Sequence, residues 1–145
     1  MGTVRHLLQK KGNRVISISP DSTVYSALEK MVAQNVGALI VMDHDKFAGM
    51  FTERDYARKV ILKGKASRDT LVREIMSEHP VVVTPDTTID QCMALMTEKY
   101  IRHLPVMDKQ QLVGLVSIGD IVKCMIDEQK CIIEDLEHYI TGHHE

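Results

Sequence analysis

The sequence predicts an α+β protein of the α/β sandwich type, built from two β-α-β-β-α units that pack together with pseudo-twofold symmetry. The first observation is an internal repeat: residues 16–60 align with residues 81–125 at a constant offset of 65, and ten of the 45 paired positions are identical. The second is that each copy alternates short apolar runs with segments of helical spacing. Two copies are too few for a solenoid. We therefore expect two half-units facing each other, with two approximately equivalent clefts in which ligands could bind.

Each copy opens with a brief strand followed by a helix. The strands are predicted at 16–19 and 81–84, where β-branched residues precede a Pro-Asp pair. In the helices that follow, apolar side chains recur at helical spacing: Val24, Ala27, Leu28, Met31 and Val32 in the first copy, and Ile89, Cys92, Met93 and Met96 in the second. Both helices should face the core.

Each copy then forms a β-hairpin and a second helix. The apolar runs are too short for helices and are separated by polar turns, which predicts strands at 38–43 and 47–52, and again at 104–108 and 112–117. A second helix begins near Thr52 in the first copy and near Ser117 in the second. These helices cover one face of each sheet, and pairing of the copies should bury the rest.

The segments outside the repeat complete the domain organisation. Val4-Arg5 returns as Val72-Arg73 at an offset of 68, so a lead-in helix is duplicated too. We divide the chain into residues 1–62, a polar surface linker at 63–69, residues 70–126, and a C-terminal amphipathic helix and tail at 127–145, with Gly142 as a suitable C′ residue. The apolar face of that last helix either folds back on its own chain or meets a second subunit.

Composition narrows the class of protein. A net charge of −2 gives no electrostatic footprint for nucleic acid, so no DNA binding is expected. No apolar run approaches 18 residues and the start lacks the order of a secretory signal, which predicts a soluble protein without a membrane anchor. The three cysteines lack a C-x-x-C spacing, which favours buried, reduced thiols and a cytoplasmic location.

A motif of the form Gly-x-x-(Thr/Ser)-x-x-Asp occurs at 49–55 and again at 114–120, where a strand ends and a helix begins. Its Thr or Ser, followed three residues later by an acid, also fits a capping box. In the functional interpretation, unpaired backbone N–H groups and the hydroxyl of Thr52 or Ser117 attract a phosphate. The ionised carboxylate of Asp55 or Asp120 only accepts hydrogen bonds, which suits the two hydroxyls of a ribose. Phosphate and ribose together indicate a nucleotide.

With these motifs, the Pro-Asp pairs and the string Ile-Arg-His-Leu-Pro-Val at 101–106, the sequence resembles the cystathionine-β-synthase (CBS) domain family. The resemblance is to a tandem pair of CBS repeats, often called a Bateman module, and it covers nearly the whole chain. The strings at 51–56 and 117–120 look like the stand-alone CBS-pair proteins of bacteria and plant organelles. The resemblance implies a regulatory module, not an enzyme, that binds AMP, ADP, ATP, NAD or S-adenosylmethionine.

The resemblance also implies the residues of two nucleotide clefts. The first cleft would use Thr52, Arg54 and Asp55 with Val81, Ile101, Arg102 and His103. The second would use Ser117, Gly119 and Asp120 with Ile16, Val36, Gly37 and Ala38. In the family the motif Asp holds the ribose, adenine lies against the first strand of the opposite copy, and phosphates meet basic residues just before the partner's second strand.

The two clefts differ in charge. The residues just before the hairpin are Arg102-His103 in the second copy but Gly37-Ala38 in the first, and the motif interior is Glu53-Arg54 in the first copy but Ile118-Gly119 in the second. The Asp55 cleft gathers both sets of cations. Arginines make charge-assisted, often bidentate, phosphate contacts, so we predict that the Asp55 cleft is the tighter phosphate site.

Other functions are weaker interpretations of the sequence. Catalytic signatures are absent from the sequence, and Cys124 has no local partner for nucleophilic work. His138, His143 and His144 cluster near the C-terminus but lie in a predicted frayed tail, so no metal site is expected. The alternative to a sensor is a ligand-independent dimerisation and protein-interaction scaffold that uses the C-terminal helix. By resemblance we expect a homodimer, and a sensor without an effector domain would regulate a partner in trans.

Overall fold

The computed structural model describes residues 2–141 and contains two copies of the predicted unit. The first copy contains β1 (Ser17–Ile18), α2 (Val24–Gln34), β2 (Ala38–Asp43), β3 (Lys46–Thr52) and α3 (Glu53–Tyr56), and α3 runs on into a π-helical turn at Ala57–Ile61. The second copy contains α5 (Ile89–Lys99), β4 (His103–Asp108), β5 (Gln111–Ser117) and α6 (Ile118–Thr141). The two lead-in helices are α1 (Val4–Lys11) and α4 (Val72–Ile75). The predicted α+β architecture is confirmed.

The two predicted hairpins form with the same register. β2 pairs antiparallel with β3, and β4 with β5, and each pairing shifts register at the same place, after Val41 and after Val106. Both turns carry two residues with positive φ, His44 and Asp45 in the first copy and Lys109 and Gln110 in the second. Positive φ at both central residues is the geometry of a type I′ hairpin turn, so the repeat extends to the conformation of its turns.

The first strands of the two copies differ, and the strand predicted at 81–84 is wrong. β1 pairs parallel with β2, and there the amide of Ile40 donates to the carbonyl of Ile16 at 3.0 Å. In the second copy the pairing is reduced to a single parallel bridge between Val83 and Val106. The residue equivalent to Ile40 is Pro105, which has no N–H to donate, so the ladder cannot extend.

Each lead-in helix completes the core of the other copy. α1 buries Val4, Leu7 and Leu8 in the core of the second copy, whereas α4 buries Val72 and Ile75 in the core of the first. Backbone hydrogen bonds secure both, from the amide of Val4 to the carbonyl of Thr87 at 2.9 Å and from the amide of Val72 to that of Ser22 at 2.8 Å. The two copies are therefore joined through exchanged helices.

The arginines of the repeated Val-Arg pairs form ion pairs with the aspartates of the repeated Pro-Asp pairs. Arg5 of α1 binds Asp86 at 2.9 Å, and Arg73 of α4 binds Asp21 in the equivalent way. These ion pairs are exposed, so each contributes little to stability. Their role is geometric, since they fix the start of each lead-in helix beside the first loop of the opposite copy.

A third group of apolar side chains joins the two hairpins. Ala38, Ile40 and Met50 of the first copy are buried together, and Leu112 and Leu115 of the second copy pack against them. This contact between the hairpins holds the two half-units face to face, as the repeat predicted. It also places the end of β3, which carries the first motif, and the start of β4, which follows Arg102, on either side of the boundary between the copies.

The C-terminal region differs from its prediction. We expected the second helix of the second copy to end before a separate helix at 127–145, but α6 runs without a break from Ile118 to Thr141. Within residues 120–141 no proline or glycine interrupts the helical pattern. Gly142, the predicted helix terminator, lies outside the described residues. Beyond Ile121, which is buried, the apolar side chains of α6 are largely exposed.

Candidate functional site

A cavity of about 870 Å³ opens beside Asp55, between the two copies. A volume of this size is within the range of ligand-binding pockets. It is lined by Gly37, Met50, Thr52, Glu53, Arg54, Asp55, Arg58 and Lys59 of the first copy, and by Ser77, His79, Pro80, Val81, Tyr100, Ile101, Arg102, His103 and Ile118 of the remainder. The cavity therefore has one charged wall from the start of α3 and one mixed wall from the segments that precede β4.

Asp55 forms the capping box that was one of the two interpretations of the motif. Its Oδ2 accepts from the backbone amide of Thr52 at 3.0 Å, and its own amide donates to the hydroxyl of Thr52 at 3.1 Å. The second oxygen, Oδ1, has longer contacts, to Lys59 Nζ at 3.3 Å and to the hydroxyl of Ser77 at 3.4 Å. The capping role thus uses one carboxylate oxygen and leaves the other directed to groups that line the cavity.

Cationic side chains outnumber carboxylates around the cavity. Arg54, Arg58, Lys59 and Arg102 line it, against the carboxylates of Glu53 and Asp55. Arg54 is held in place by a hydrogen bond from its guanidinium to the backbone carbonyl of Tyr100. Such a concentration of Arg and Lys in a cleft between two copies favours an anionic ligand.

His103 lies in the same cavity, and its pKa is lowered from the ordinary value of a histidine. Burial is the main cause that lowers the pKa of His103, and the nearby charge of Lys11 lowers it further, whereas Asp120 acts in the opposite direction. A Cβ added to Gly37 would lie 3.6 Å from both the imidazole of His103 and the carboxylate of Glu53. Gly37 therefore leaves space between these two polar side chains.

The second motif has the same capping geometry but different surroundings. The amide of Ser117 donates to Oδ2 of Asp120 at 2.9 Å, and the amide of Asp120 donates to the hydroxyl of Ser117 at 3.1 Å. The ammonium of Lys11 lies 2.5 Å from the same carboxylate oxygen. Burial opposes ionisation of Asp120, but the hydrogen bonds from Lys11 and Ser117 outweigh it, so the pKa of Asp120 is lowered.

The structure brings together the residues predicted for the first cleft. Thr52, Arg54, Asp55, Val81, Ile101, Arg102 and His103 all line the cavity. Among those predicted for the second cleft, Gly37 lies on this first cavity instead, because its carbonyl accepts the amide of Glu53 at 3.2 Å at the start of α3. Ala38 is buried in the contact between the hairpins. Ile16, Val36, Ser117, Gly119 and Asp120 do not line the cavity.

The sequence prediction missed several cavity residues. Arg58 and Lys59 follow the motif by one helical turn, so helical spacing from Arg54 and Asp55 would have indicated them. His79 and Ser77 were missed because they belong to the segment between α4 and the second copy. The offset of 68 that relates the lead-in helices makes His79 the equivalent of Lys11 in the repeat.

The cysteines and histidines give no second site in the described residues. Cys92 is buried, and burial raises the pKa of its thiol to about 11. Cys131 is exposed, contrary to the prediction of buried thiols, because it lies on the outer part of α6. Within residues 2–141 no group of His, Cys, Asp and Glu is arranged to hold a metal ion, and His143 and His144 lie outside that range. Nor is any helix in the same range long and apolar enough to cross a membrane.

Known proteins share this arrangement over most of the chain. The family model for the CBS domain matches twice, at residues 4–62 and 72–127. A mitochondrial CBS domain-containing protein of Arabidopsis thaliana, CBSX3, is 38% identical over 149 residues, which cover 97% of this chain and 72% of the relative. The crystal structure of the CBS domain NE2398 is 50% identical with a TM-score of 0.82, and covers 86% of this chain and 97% of its own.

A second solved structure gives the same result. A signal-transduction protein with CBS domains from Burkholderia ambifaria is 45% identical with a TM-score of 0.83, over 88% of this chain and 96% of its own. The family match covers both copies and both lead-in helices. The chain therefore belongs to the CBS domain family, as a tandem pair of CBS domains.

Proposed function

We propose that this CBS pair is a sensor that binds an adenosine-containing nucleotide in the cavity beside Asp55 and regulates a partner protein in trans. CBS-pair proteins are generally regulatory modules. The observation that carries the proposal is the meeting of the Asp55 motif with Arg54, Arg58, Lys59 and Arg102 around one cavity. A ribose acceptor and an excess of cations fit the two polar parts of a nucleotide.

The lining residues divide by chemistry. Oδ1 of Asp55 has only long contacts, so a ribose hydroxyl could replace Lys59 or Ser77 as its donor. Val81 and Ile101 supply an apolar surface for a base, and Arg102 and Arg54 supply guanidinium groups for phosphate. This division gives binding and orientation of a nucleotide without chemistry on it.

The charge of the lining ranks the candidate ligands. Four Arg and Lys side chains against two carboxylates favour AMP, ADP, ATP or NAD, whose phosphates are negative. S-adenosylmethionine carries no phosphate and a positive sulfonium, so it is the least favoured member of the set. Calorimetric titration of the purified protein with these five compounds tests the ranking, and a preference for S-adenosylmethionine would contradict it.

The central prediction concerns Asp55. Asp55→Ala should weaken nucleotide binding by about ten- to hundredfold, because hydrogen bonds to a charged acceptor are worth about 1.5–3 kcal/mol. Asp120→Ala is the matched control, since it removes the equivalent helix cap without touching the cavity. Equal affinity for Asp55→Ala and wild-type protein, with both folded, would refute the site.

Arg102 provides the complementary test. Arg102→Gln should reduce affinity for AMP much more than affinity for adenosine, because the two ligands differ only in the phosphate. Lys109→Gln, in the hairpin turn, is the control for loss of one positive charge. Equal losses for AMP and adenosine would mean that Arg102 does not contact phosphate.

A second candidate function, self-association, is favoured by α6. Six apolar side chains of this helix form an exposed surface, which we call the α6 stripe: Val122, Ile126, Ile132, Ile133, Leu136 and Ile140. Contiguous exposed apolar surface on a soluble protein commonly marks an interaction site. We propose that the chain forms a homodimer through this stripe, which would also serve a ligand-independent scaffold.

Compartment is part of the proposal as well. We place the protein in the cytoplasm on the basis of its free cysteines. The relative from Arabidopsis thaliana is named as a mitochondrial protein, and the mitochondrial matrix also maintains reduced thiols. Fractionation of cells that express the native protein tests the location, and recovery in an organelle fraction would contradict it.

A further inference from the structure

The second motif is closed by a lysine from the first helix of the chain. Lys11, the last residue of α1, places its ammonium 2.5 Å from Oδ2 of Asp120 and 2.7 Å from the backbone carbonyl of Leu115. An ammonium has three donors, and two of them are used here. Gly12, with φ of 92°, ends the helix directly after Lys11 and turns the chain away. The lysine is thus directed into the second motif by the helix terminus.

The repeat shows what this lysine replaces. At the offset of 68 that relates the lead-in helices, Lys11 corresponds to His79, and His79 lines the open cavity beside Asp55. Asp55 instead makes only long contacts on Oδ1, to Lys59 and Ser77. Lys59 in turn corresponds to Cys124, which offers no charge to Asp120. The same fold therefore leaves Asp55 facing a cavity and gives Asp120 a short ion pair.

We propose that Lys11 is an internal occupant of the Asp120 cleft, so that the chain binds one nucleotide beside Asp55 and holds a second, latent nucleoside site beside Asp120. The proposal rests on the nucleotide function proposed above. The ammonium takes the place that the paired hydroxyls of a ribose would take on the carboxylate. Removal of that ammonium exposes the acceptor.

The side chain of Lys11 can move away from Asp120 while α1 stays in position. Lys11 and Asp120 are about a third and a quarter exposed, so water can replace each partner. α1 itself is anchored further up by Val4, Leu7 and Leu8, which are buried in the second copy. Displacement therefore concerns one side chain at the last turn of α1, and the exchanged helix stays in position.

The chemistry of the cleft selects a nucleoside without phosphate. Where the first cleft has Arg54, Arg102 and His103, the equivalent positions are Gly119, Gly37 and Ala38. Among the cations of the first cavity only Arg58 has a basic equivalent, Lys123, so with Lys11 removed less positive charge would remain to meet a phosphate. Adenosine is therefore the probe to use, with AMP as its charged comparison.

The test is the stoichiometry of adenosine binding by calorimetry. Wild-type protein should bind one adenosine per chain, and Lys11→Met, which keeps most of the length of the side chain without its charge, should bind two. Lys10→Met, the neighbouring exposed lysine, is the control and should bind one. Adding Asp120→Ala to Lys11→Met should return the count to one. Two sites in wild-type protein, or no additional site in folded Lys11→Met compared with wild type, would overturn the proposal.

A second background separates this inference from the proposed function. Asp55→Ala should bind adenosine about ten- to hundredfold more weakly than wild type, and Asp55→Ala combined with Lys11→Met should regain one site that the Asp55→Ala variant lacks. If wild-type protein binds no nucleotide but Lys11→Met binds one, the latent site stands and the Asp55 function fails. If Lys11→Met melts far below wild type, Lys11→Gln takes its place. Loss of an adenosine already bound by wild-type protein would show that Lys11 is a ligand contact and would overturn the proposal.

Discussion

Gly49 and Gly114 stand at equivalent positions of the repeated motif, but different neighbours exclude a side chain from them. A Cβ on Gly49 would overlap the backbone carbonyl oxygen of Ser77. Ser77 forms an isolated antiparallel β-bridge with Met50, the residue after Gly49. A Cβ on Gly114 would meet the methyl groups of Leu8 at 2.9 Å. The first contact is with backbone and the second is with a flexible side chain. Gly114 should therefore tolerate an added side chain better than Gly49.

This difference gives a prediction about stability. Gly49→Ala should destabilise the protein by about 2 kcal/mol or more, because forced overlap in a packed region costs about 1–3 kcal/mol and the backbone of Ser77 cannot yield easily. Gly114→Ala should cost less, since Leu8 can change rotamer. Urea unfolding of both variants measures the difference, and equal costs would contradict this account of the two glycines.

His103 gives a second prediction at the residue scale. Lys11→Met should raise the pKa of His103, because the ammonium of Lys11 lowers it and Asp120 would then act without its partner. The pKa should stay below its ordinary value, since burial is the main cause of the shift. An NMR titration of the imidazole, assigned with His103→Gln, measures this; Lys10→Met should leave it unchanged, and a fall in the pKa would contradict the assignment.

The same residue has a consequence for stability. Because burial lowers the pKa of His103 in the folded chain, the unfolded chain binds a proton at this residue more readily. Stability from this group is therefore present above the ordinary pKa of histidine, about 6.5, and is lost as the pH falls below it.

At the scale of elements, proline and glycine decided what the repeat alone could not. Pro105 removed the hydrogen bond that would have extended the first strand of the second copy, although its apolar pattern matched that of the first. The prediction of separate helices near the C-terminus failed for the opposite reason. Nothing between Asp120 and Thr141 interrupts helical hydrogen bonding, so α6 is continuous.

The α6 stripe leads to a prediction about assembly. Leu136→Glu should shift the protein from dimer to monomer in sedimentation at micromolar concentration, because a charge at the centre of an apolar contact is costly to bury. Lys130→Gln, on the polar side of the same helix, changes the net charge by the same amount and should leave the dimer intact. A monomeric wild-type protein, or a dimeric Leu136→Glu variant, would contradict the proposed role of α6.

At the scale of the whole molecule, exchange of the lead-in helices makes the two copies interdependent. α1 supplies Leu7 to the core of the second copy, and α4 supplies Ile75 to the core of the first. Neither core is complete without a segment that precedes the other copy in the chain. The two repeats should therefore unfold together, despite their separation in sequence.

This interdependence can be measured. Leu7→Ala should lower stability by about 2–5 kcal/mol, the usual cost of a large-to-small change in a core. Its effect should appear equally in amides of the first and second copies when native-state hydrogen exchange is followed by NMR. Loss of protection confined to the second copy would show that the repeats unfold separately.

The candidate site was predictable in the part that lies on the repeat. Thr52 and Asp55 belong to the motif that recurs at the offset of 65, whereas Arg102 stands where the first copy has Gly37, and all three line the cavity. Lys11 ends α1 and His79 follows α4, and spacing along the chain gives no indication of which cleft either side chain enters. Gly37, which we predicted for the second cleft, lines the first cavity, and its carbonyl contact with Glu53 there depends on how β2 and α3 meet.

The sequence by itself determined the duplicated unit, the order of its elements, the hairpin turns and the charge difference between the two motifs, because these depend on local spacing and residue type. Tertiary structure decided which copy each lead-in helix completes and which cleft each side chain enters. Those outcomes depend on long-range packing: burial of Val4, Leu7 and Leu8 sets the position of α1, and that position brings Lys11 to Asp120. Two nearly equal copies thereby differ in their motifs: Asp55 faces a cavity, whereas Asp120 is paired with the chain's own lysine.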